Sequence, residues 1–250
     1  MRPSLWAEAV KLAGSAVGRV GSVAVAVGIA VLSGAMLAAA ASGDPQLLAK
    51  LGPAATQDWS GFLLAAAQIT SAGGLIGFGV VLSWIFGREF GDGTITGLFA
   101  LPVRRSTIAL AKLFVYAMWA TAMSLLLAAL LLLVGLVAGL GPLTADSWTA
   151  LARQTGLGIM TAAIAAPVAW AATLGRSVLA GVSVAIGLVV LAQISVLAGA
   201  GGWVPLASPA LWAMSSGQAV TLLQIGLVLP YVGVFMLATA WAWRAMQLDR

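Results

Sequence analysis

The residues best suited to chemistry lie in one polar stretch between Arg88 and Lys112. The stretch begins Arg-Glu-Phe-Gly-Asp-Gly-Thr at residues 88–94 and continues as Leu-Pro-Val-Arg-Arg-Ser at residues 101–106. Long uncharged runs flank it on both sides, in a chain of which only 8% is charged. Charged side chains mixed with apolar ones are typical of a protein interface. The stretch therefore predicts contact with something soluble.

Several kinds of catalytic site are excluded by residue type. The chain has no His and no Cys, which removes disulfides, thiolate chemistry, imidazole metal ligands and Ser-His triads. A P-loop needs a glycine directly before its lysine, but the three lysines follow Val10, Ala49 and Ala111. The formal charge of +5 is scattered and does not indicate nucleic-acid binding. We expect no catalytic residue, metal ligand or cofactor in this chain.

The composition requires a membrane. The chain is 62% hydrophobic with a mean hydropathy of +1.07, whereas a soluble domain carries about 25% charged residues. Charged residues divide the sequence into uncharged runs, four of which fit one span each and the last of which fits two. The prediction is an all-α membrane protein, with residues 1–250 as a single domain. The six predicted spans are residues 20–41, 61–86, 113–138, 154–174, 177–198 and 219–243.

The distribution of Lys and Arg predicts the orientation. Six spans place both termini on one side of the membrane, and ten of the 12 basic residues fall on that side. Cytoplasmic loops carry the excess of basic residues, so we expect both termini in the cytoplasm. The basic residues on this side are Arg2, Lys11, Arg19, Arg88, Arg104, Arg105, Lys112, Arg176, Arg244 and Arg250, against Lys50 and Arg153 on the other.

The first 19 residues predict an amphipathic helix lying in the cytoplasmic interface. Leu5, Ala9 and Leu12 form an apolar stripe at helical spacing, and we expect Glu8 and Lys11 to point elsewhere. The alternative is a cytoplasmic extension of the first span.

The Ala-Ala-Ala sequence ending that span resembles a signal-peptide cleavage site. The apolar run is longer than the apolar region of a signal peptide, which favours a retained span.

Residues 199–218 form a connection on the extracellular side and carry no charge. Two interpretations stay open for them, a re-entrant hairpin and a plain apolar surface loop.

Polar residues inside the spans are candidates for lining a substrate cavity. The alternative for each is an interhelical hydrogen bond, worth about 0.6 kcal/mol. The cavity candidates are Gln68, Thr70, Ser71, Gln193 and Ser195.

The polar segment, residues 87–112, predicts its own local structure. We expect a short helix near residues 95–100, with Asp92 or Thr94 capping its start and Pro102 stopping it. A second helix should begin near Ser106 and run into the third span. An alternative role for Arg104, Arg105 and Lys112 is anchoring the span ends to anionic lipid.

The order of these motifs resembles the permease subunit of type-2 ABC exporters. The motifs are Glu89-Phe90, Gly93-Thr94, Leu101-Pro102-Val103-Arg104-Arg105 and Ala111-Lys112. The six spans and the long connection between the fifth and sixth extend the resemblance over the whole chain. The family usually has Ser or Ala where Arg104 stands, and Arg105 occupies the position of the family arginine.

The resemblance implies two permease subunits, identical or paired with a sister subunit, and two cytoplasmic ABC ATPase subunits that bind ATP and Mg²⁺. The composition, rich in Ala, Gly and Val, indicates a bacterium and hence a bacterial plasma membrane. The resemblance and the apolar spans together imply an amphipathic or hydrophobic cargo such as a drug, antibiotic or lipid. The segment at residues 88–106 would be the coupling helix, seated in a groove of the ATPase. Its predicted contact residues are Arg88, Glu89, Phe90, Asp92, Gly93, Thr94, Leu98, Pro102, Arg104 and Arg105.

Two other functions remain open from the residues alone. One is a channel or ion-coupled carrier that works without a partner, although no ionisable residue falls well inside a predicted span. The other is a membrane scaffold or immunity protein that transports nothing.

Overall fold

The computed structural model describes residues 2–100 and 102–247, and the regular structure in these residues is helical. Leu101 of the Leu-Pro-Val motif and Arg250 of the charge count lie outside the described residues. Short 3₁₀ turns at Gly52–Ala55 and Gly201–Trp203 join longer helices. The helices are α1 (Arg2–Gly14), α2 (Ala16–Ala41), α3 (Pro45–Leu51), α4 (Trp59–Gly91), α5 (Ile95–Phe99), α6 (Arg105–Val137), α7 (Ala145–Leu174), α8 (Val178–Leu197), α9 (Ser208–Met214) and α10 (Leu222–Ala245).

The predicted six spans are confirmed as helices. Within the described residues, six helices are long and apolar enough to cross a membrane: α2, α4, α6, α7, α8 and α10. Some of them run past the predicted ends, because a helix makes its backbone hydrogen bonds locally and continues beyond the apolar run. As a result Glu89 lies in the last turn of α4 and Lys112 lies inside α6. Both charges are therefore held by rigid helices.

Polar side chains fix where several spans begin. The Asp58 carboxylate accepts a hydrogen bond of 2.9 Å from the Gly61 amide at the start of α4. Thr144 and Ser147 form a capping box at the start of α7. The Ser177 hydroxyl accepts from the amide of Leu179 and opens α8. Each cap satisfies a backbone amide that the first helical turn leaves unpaired.

Two spans contain π-helical turns near their middles. These turns cover Val23–Gly28 in α2 and Thr70–Gly74 in α4. Helix α7 is interrupted at Ala165, two residues before Pro167, whose ring nitrogen has no hydrogen to donate. Single π turns inside α-helices are frequent at functional sites.

Helix α4 packs closely against α8. A Cβ atom at Gly87 would lie 2.5 Å from the Val178 nitrogen, and one at Gly181 would lie 2.3 Å from the Ser83 hydroxyl oxygen. The Ser83 hydroxyl also donates to the Val178 carbonyl. Glycine at both positions lets the two backbones approach in the way that membrane helices use. Helices α4 and α7 are the most buried of the six spans, and α10 is the most exposed.

Candidate functional site

The chain turns sharply where α4 ends. Gly93 has a φ of +67°, a left-handed conformation that glycine adopts without strain. Before the turn, the Arg88 guanidinium lies 4.8 Å from the centroid of the Trp84 ring and forms an ion pair of 3.1 Å with Asp92. The turn is thus tied back to the helix that precedes it.

The short helix predicted after this turn is confirmed as α5, and a second helix starts at Arg105, next to the predicted Ser106. The predicted caps do not form. Thr94 takes the N-cap position of α5, but its side chain makes no capping bond in the described structure. Asp92 pairs with Arg88 instead. We use the name coupling segment for residues 88–106.

Aromatic contacts attach α5 to the last span. The ring centroids of Phe99 and Trp243 are 5.8 Å apart, and those of Phe86 and Trp243 are 5.9 Å apart. The Arg105 guanidinium stacks over the Phe99 ring at 4.1 Å and donates to the Met246 carbonyl. Arg105 therefore faces the end of α10, whereas Arg104 is exposed beside it.

Four charged side chains from three helices meet behind the coupling segment, and we call them the charge cluster: Glu8, Lys11, Glu89 and Lys112. The Lys112 ammonium lies 2.9 Å from a Glu8 oxygen and 3.0 Å from a Glu89 oxygen. It also donates to the Ile85 carbonyl at 3.0 Å. The Lys11 ammonium lies 2.9 Å from both carboxylates. The cluster links α1, α4 and α6 through ion pairs.

The charge cluster is neutral overall, and three of its four side chains are almost closed to solvent, whereas the Lys11 side chain is 37% exposed. Lys112 is 1% exposed, Glu89 3% and Glu8 7%. Burial alone would raise the pKa of the Glu8 carboxyl, but Lys112 and Lys11 outweigh burial and lower it. Burial alone would lower the pKa of Lys11, but hydrogen bonds to Glu8 and Glu89 raise it. Both groups in α1 thus favour their charged forms.

One carboxylate oxygen in the charge cluster accepts no hydrogen bond among the described residues. The second carboxylate oxygen of Glu89, Oε2, is buried and has no hydrogen-bond partner within the described structure. A groove of about 540 Å³ runs beside it between α1 and the coupling segment, with Glu8, Lys11, Thr94 and Leu98 among its lining residues.

Two expectations about this region are wrong. Lys112 does not anchor a span end to lipid, because its side chain is enclosed by protein. Glu8 does not point away from the stripe of Leu5 and Leu12. It lies three residues after Leu5 and four before Leu12, so helical spacing puts it on the same stripe. That spacing was the signal in the sequence that places Glu8 in the site.

The predicted coupling residues divide into an anchored group and an exposed group. Glu89 is buried, and Arg88, Phe90, Leu98 and Arg105 are half-buried. The remaining five form an exposed ridge: Asp92, Gly93, Thr94, Pro102 and Arg104. Their role in binding a partner stays a prediction.

The predicted cavity residues do not share a common site in the described structure. Thr70 is fully buried and accepts a 2.7 Å hydrogen bond from Gln154, the interhelical bond that the alternative reading predicts. The hydroxyls of Ser71 and Ser195 donate to the carbonyls three residues before them, those of Gln68 and Ala192. Gln193 is exposed on α8, and Gln68 is half-buried.

Comparison with known proteins agrees with this architecture. A family model described as ABC-2 family transporter protein matches residues 6–193, which include most of α1, the coupling segment, the first four spans and most of the fifth. No curated protein matches the chain. The match covers well over half of a multi-pass membrane protein with six apolar spans, and the chain therefore belongs to the ABC-2 family of transporter proteins.

Proposed function

We propose that this chain is the membrane-spanning subunit of an ATP-driven exporter, and that its coupling segment receives the movement of a separate cytoplasmic ATPase. The partner ATPase binds ATP and Mg²⁺, and a second permease subunit, identical or related, completes the transporter. Both termini lie in the cytoplasm of a bacterial cell, and residues 199–218 connect the last two spans on the extracellular side. The cargo is amphipathic or hydrophobic.

The charge cluster is the observation that carries this proposal. A soluble partner can move membrane helices only through a rigid connection. The coupling segment presents an exposed ridge on one side and is fixed by aromatic and ionic contacts on the other. A push on the ridge would pass to α1, α4 and α6 together.

The buried ion pairs next to the ridge support the proposal that the coupling segment transmits force to the helices and does not only anchor them to lipid. A buried charge that loses its partner destabilises a protein by about 3–5 kcal/mol. The three helices therefore keep their contact when the segment is displaced. Isolated surface arginines have no such effect, since exposed ion pairs contribute only about 0–1 kcal/mol.

Docking is tested by placing a charge at Val103, between the ridge residues Pro102 and Arg104, and the same charge on a matched surface elsewhere. Val103 in the coupling segment and Leu47 in α3 are both 37% exposed, and span counting puts them on opposite sides of the membrane. The chain is co-expressed with candidate ABC ATPases, purified, and assayed for bound ATPase and for ATP-dependent dye uptake into inside-out vesicles. We expect Val103→Asp to reduce both at least about tenfold, since a charge in an interface core costs more than 1.4 kcal/mol.

The control variant Leu47→Asp should retain both ATPase and uptake. Equal ATPase retention by Val103→Asp and wild type would contradict the docking role of the segment. Dye flux through the purified chain without any ATPase would favour the channel interpretation instead.

A further inference from the structure

A second polar region lies at the other end of α4 from the charge cluster. A cavity of about 710 Å³ opens where α4 and α7 begin and where α9 ends. Trp59 at the start of α4 lies 30 residues before Glu89, so this opening is about 45 Å along the helix from Glu89. The lining residues that carry the argument are Asp58, Asp146, Arg153 and Gln154. The proposed function gives this cavity no role.

The buried wall of the cavity contains an unsatisfied amide. Gln154 is 3% exposed, and its Nε2 donates to the Thr70 hydroxyl at 2.7 Å. Its Oε1 has no partner among the described residues. A buried acceptor without a partner has lost its hydration and gained nothing in return, so a group that donates a hydrogen bond is favoured here.

The cavity also holds charges of both signs that do not pair with each other. Arg153 is half-buried in α7, and within the described structure its guanidinium makes no ion pair or hydrogen bond. Asp58 and Asp146 are exposed at the first turns of α4 and α7. Asp146 and Arg153 are seven residues apart, about 10 Å along the helix. A half-buried guanidinium without an ion pair leaves its fork of donors free for an anion.

We propose that this cavity binds a zwitterion whose anionic group pairs with Arg153 and whose ammonium group lies between Asp58 and Asp146. A carboxylate or phosphate fits the fork of donors that a guanidinium presents. A further donor on the ligand satisfies Oε1 of Gln154. Free peptides and zwitterionic lipid head groups share this chemistry. The proposal concerns binding by the chain alone and does not depend on transport.

Binding is measured calorimetrically with the purified full-length chain in nanodiscs of anionic phosphatidylglycerol. Trialanine is one probe, because three extended residues place its charges about 10 Å apart. Glycerophosphoethanolamine is the other. N-acetyl-trialanine and trialanine amide each lack one charge. We expect at least one zwitterion to bind and, for trialanine, either blocked form to bind about tenfold more weakly or worse.

Variants locate the site. Arg153→Gln should weaken binding about tenfold or more. Lys50→Gln removes a positive charge from α3 on the same face, outside the cavity lining, and should change nothing. If Arg153→Gln does not fold, the exposed Asp146→Asn provides the same test for the ammonium end.

The lipid composition of the nanodiscs distinguishes the two possible sources of the ligand. Weaker probe binding in discs containing phosphatidylethanolamine identifies a lipid head group as the occupant, and equal binding identifies a free solute. Both results support the proposal. It is overturned if neither zwitterion binds, if the blocked peptides bind as well as trialanine, or if the variant that folds binds as tightly as wild type.

Discussion

At the scale of single residues, the charge cluster depends most on Lys112. This ammonium contacts two carboxylates and a backbone carbonyl at 2.9–3.0 Å while almost fully buried. Its partners Glu8 and Glu89 lie 104 and 23 residues away in the sequence. No local pattern links residues so far apart, which explains why the sequence indicated Glu89 as a contact residue but did not reveal its buried partners.

Removal of the Lys112 charge should destabilise the chain strongly. Lys112→Met keeps the length of the side chain but leaves two buried carboxylates with one lysine. We expect the free energy of unfolding to fall by about 3–5 kcal/mol in a denaturant titration of the chain in detergent. Lys50→Met, at an exposed position, should change it by less than about 0.5 kcal/mol. A loss for Lys112→Met as small as this control would show that the ion pairs contribute little.

Glu8 should make the free energy of unfolding of the chain depend on pH. Its pKa is lowered in the folded chain, so its stabilising effect is complete above the ordinary pKa of about 4.3. The effect is lost as the pH falls through the lowered pKa. The stability difference between wild type and Glu8→Gln should therefore be largest near pH 7 and shrink below about pH 4. Unfolding titrations from pH 3 to 8 measure it, and a difference independent of pH would contradict the assignment.

At the scale of elements, α5 is fixed from two sides. Phe99 packs on Trp243 of α10, and the chain on either side of α5 runs into α4 and α6. The sequence predicted this helix from a capping residue at its start, Asp92 or Thr94, and from Pro102 at its end. It did not predict the contact with Trp243, since aromatic residues near span ends are equally expected at the membrane interface.

Two neighbouring tryptophans in α10 test the aromatic contact. Trp243 is fully buried, whereas Trp241 is 69% exposed. We expect Trp243→Ala to lower the free energy of unfolding by about 3–5 kcal/mol. Trp241→Ala should have an effect of about 0.5 kcal/mol or less. Equal losses for the two variants, measured in the same detergent, would show that Trp243 does not fasten α5.

At the scale of the whole molecule, the described chain has a polar site at each end of helix α4. The charge cluster lies where α4 ends, and the polar cavity lies where it begins. Charge spacing was enough to predict six spans, because a lipid environment excludes charges from helix centres. It was not enough to predict either site fully. Asp58, Asp146 and Arg153 looked like span boundaries, and only tertiary packing brings them around one cavity.

The π-helical turn at Thr70–Gly74 lies between these two sites. A π turn holds one residue more than the α turn it replaces, and each residue of an α-helix advances the helix by about 100°. If the π turn shifted along α4, the residues that it passed would rotate about the helix axis. The backbone hydrogen bonds would re-form at each step. Thr70, which bonds to Gln154 at the cavity, is the first residue of this turn. A rotation of the Glu89 end of α4 against its Trp59 end would therefore be taken up at Thr70 and its hydrogen bond to Gln154.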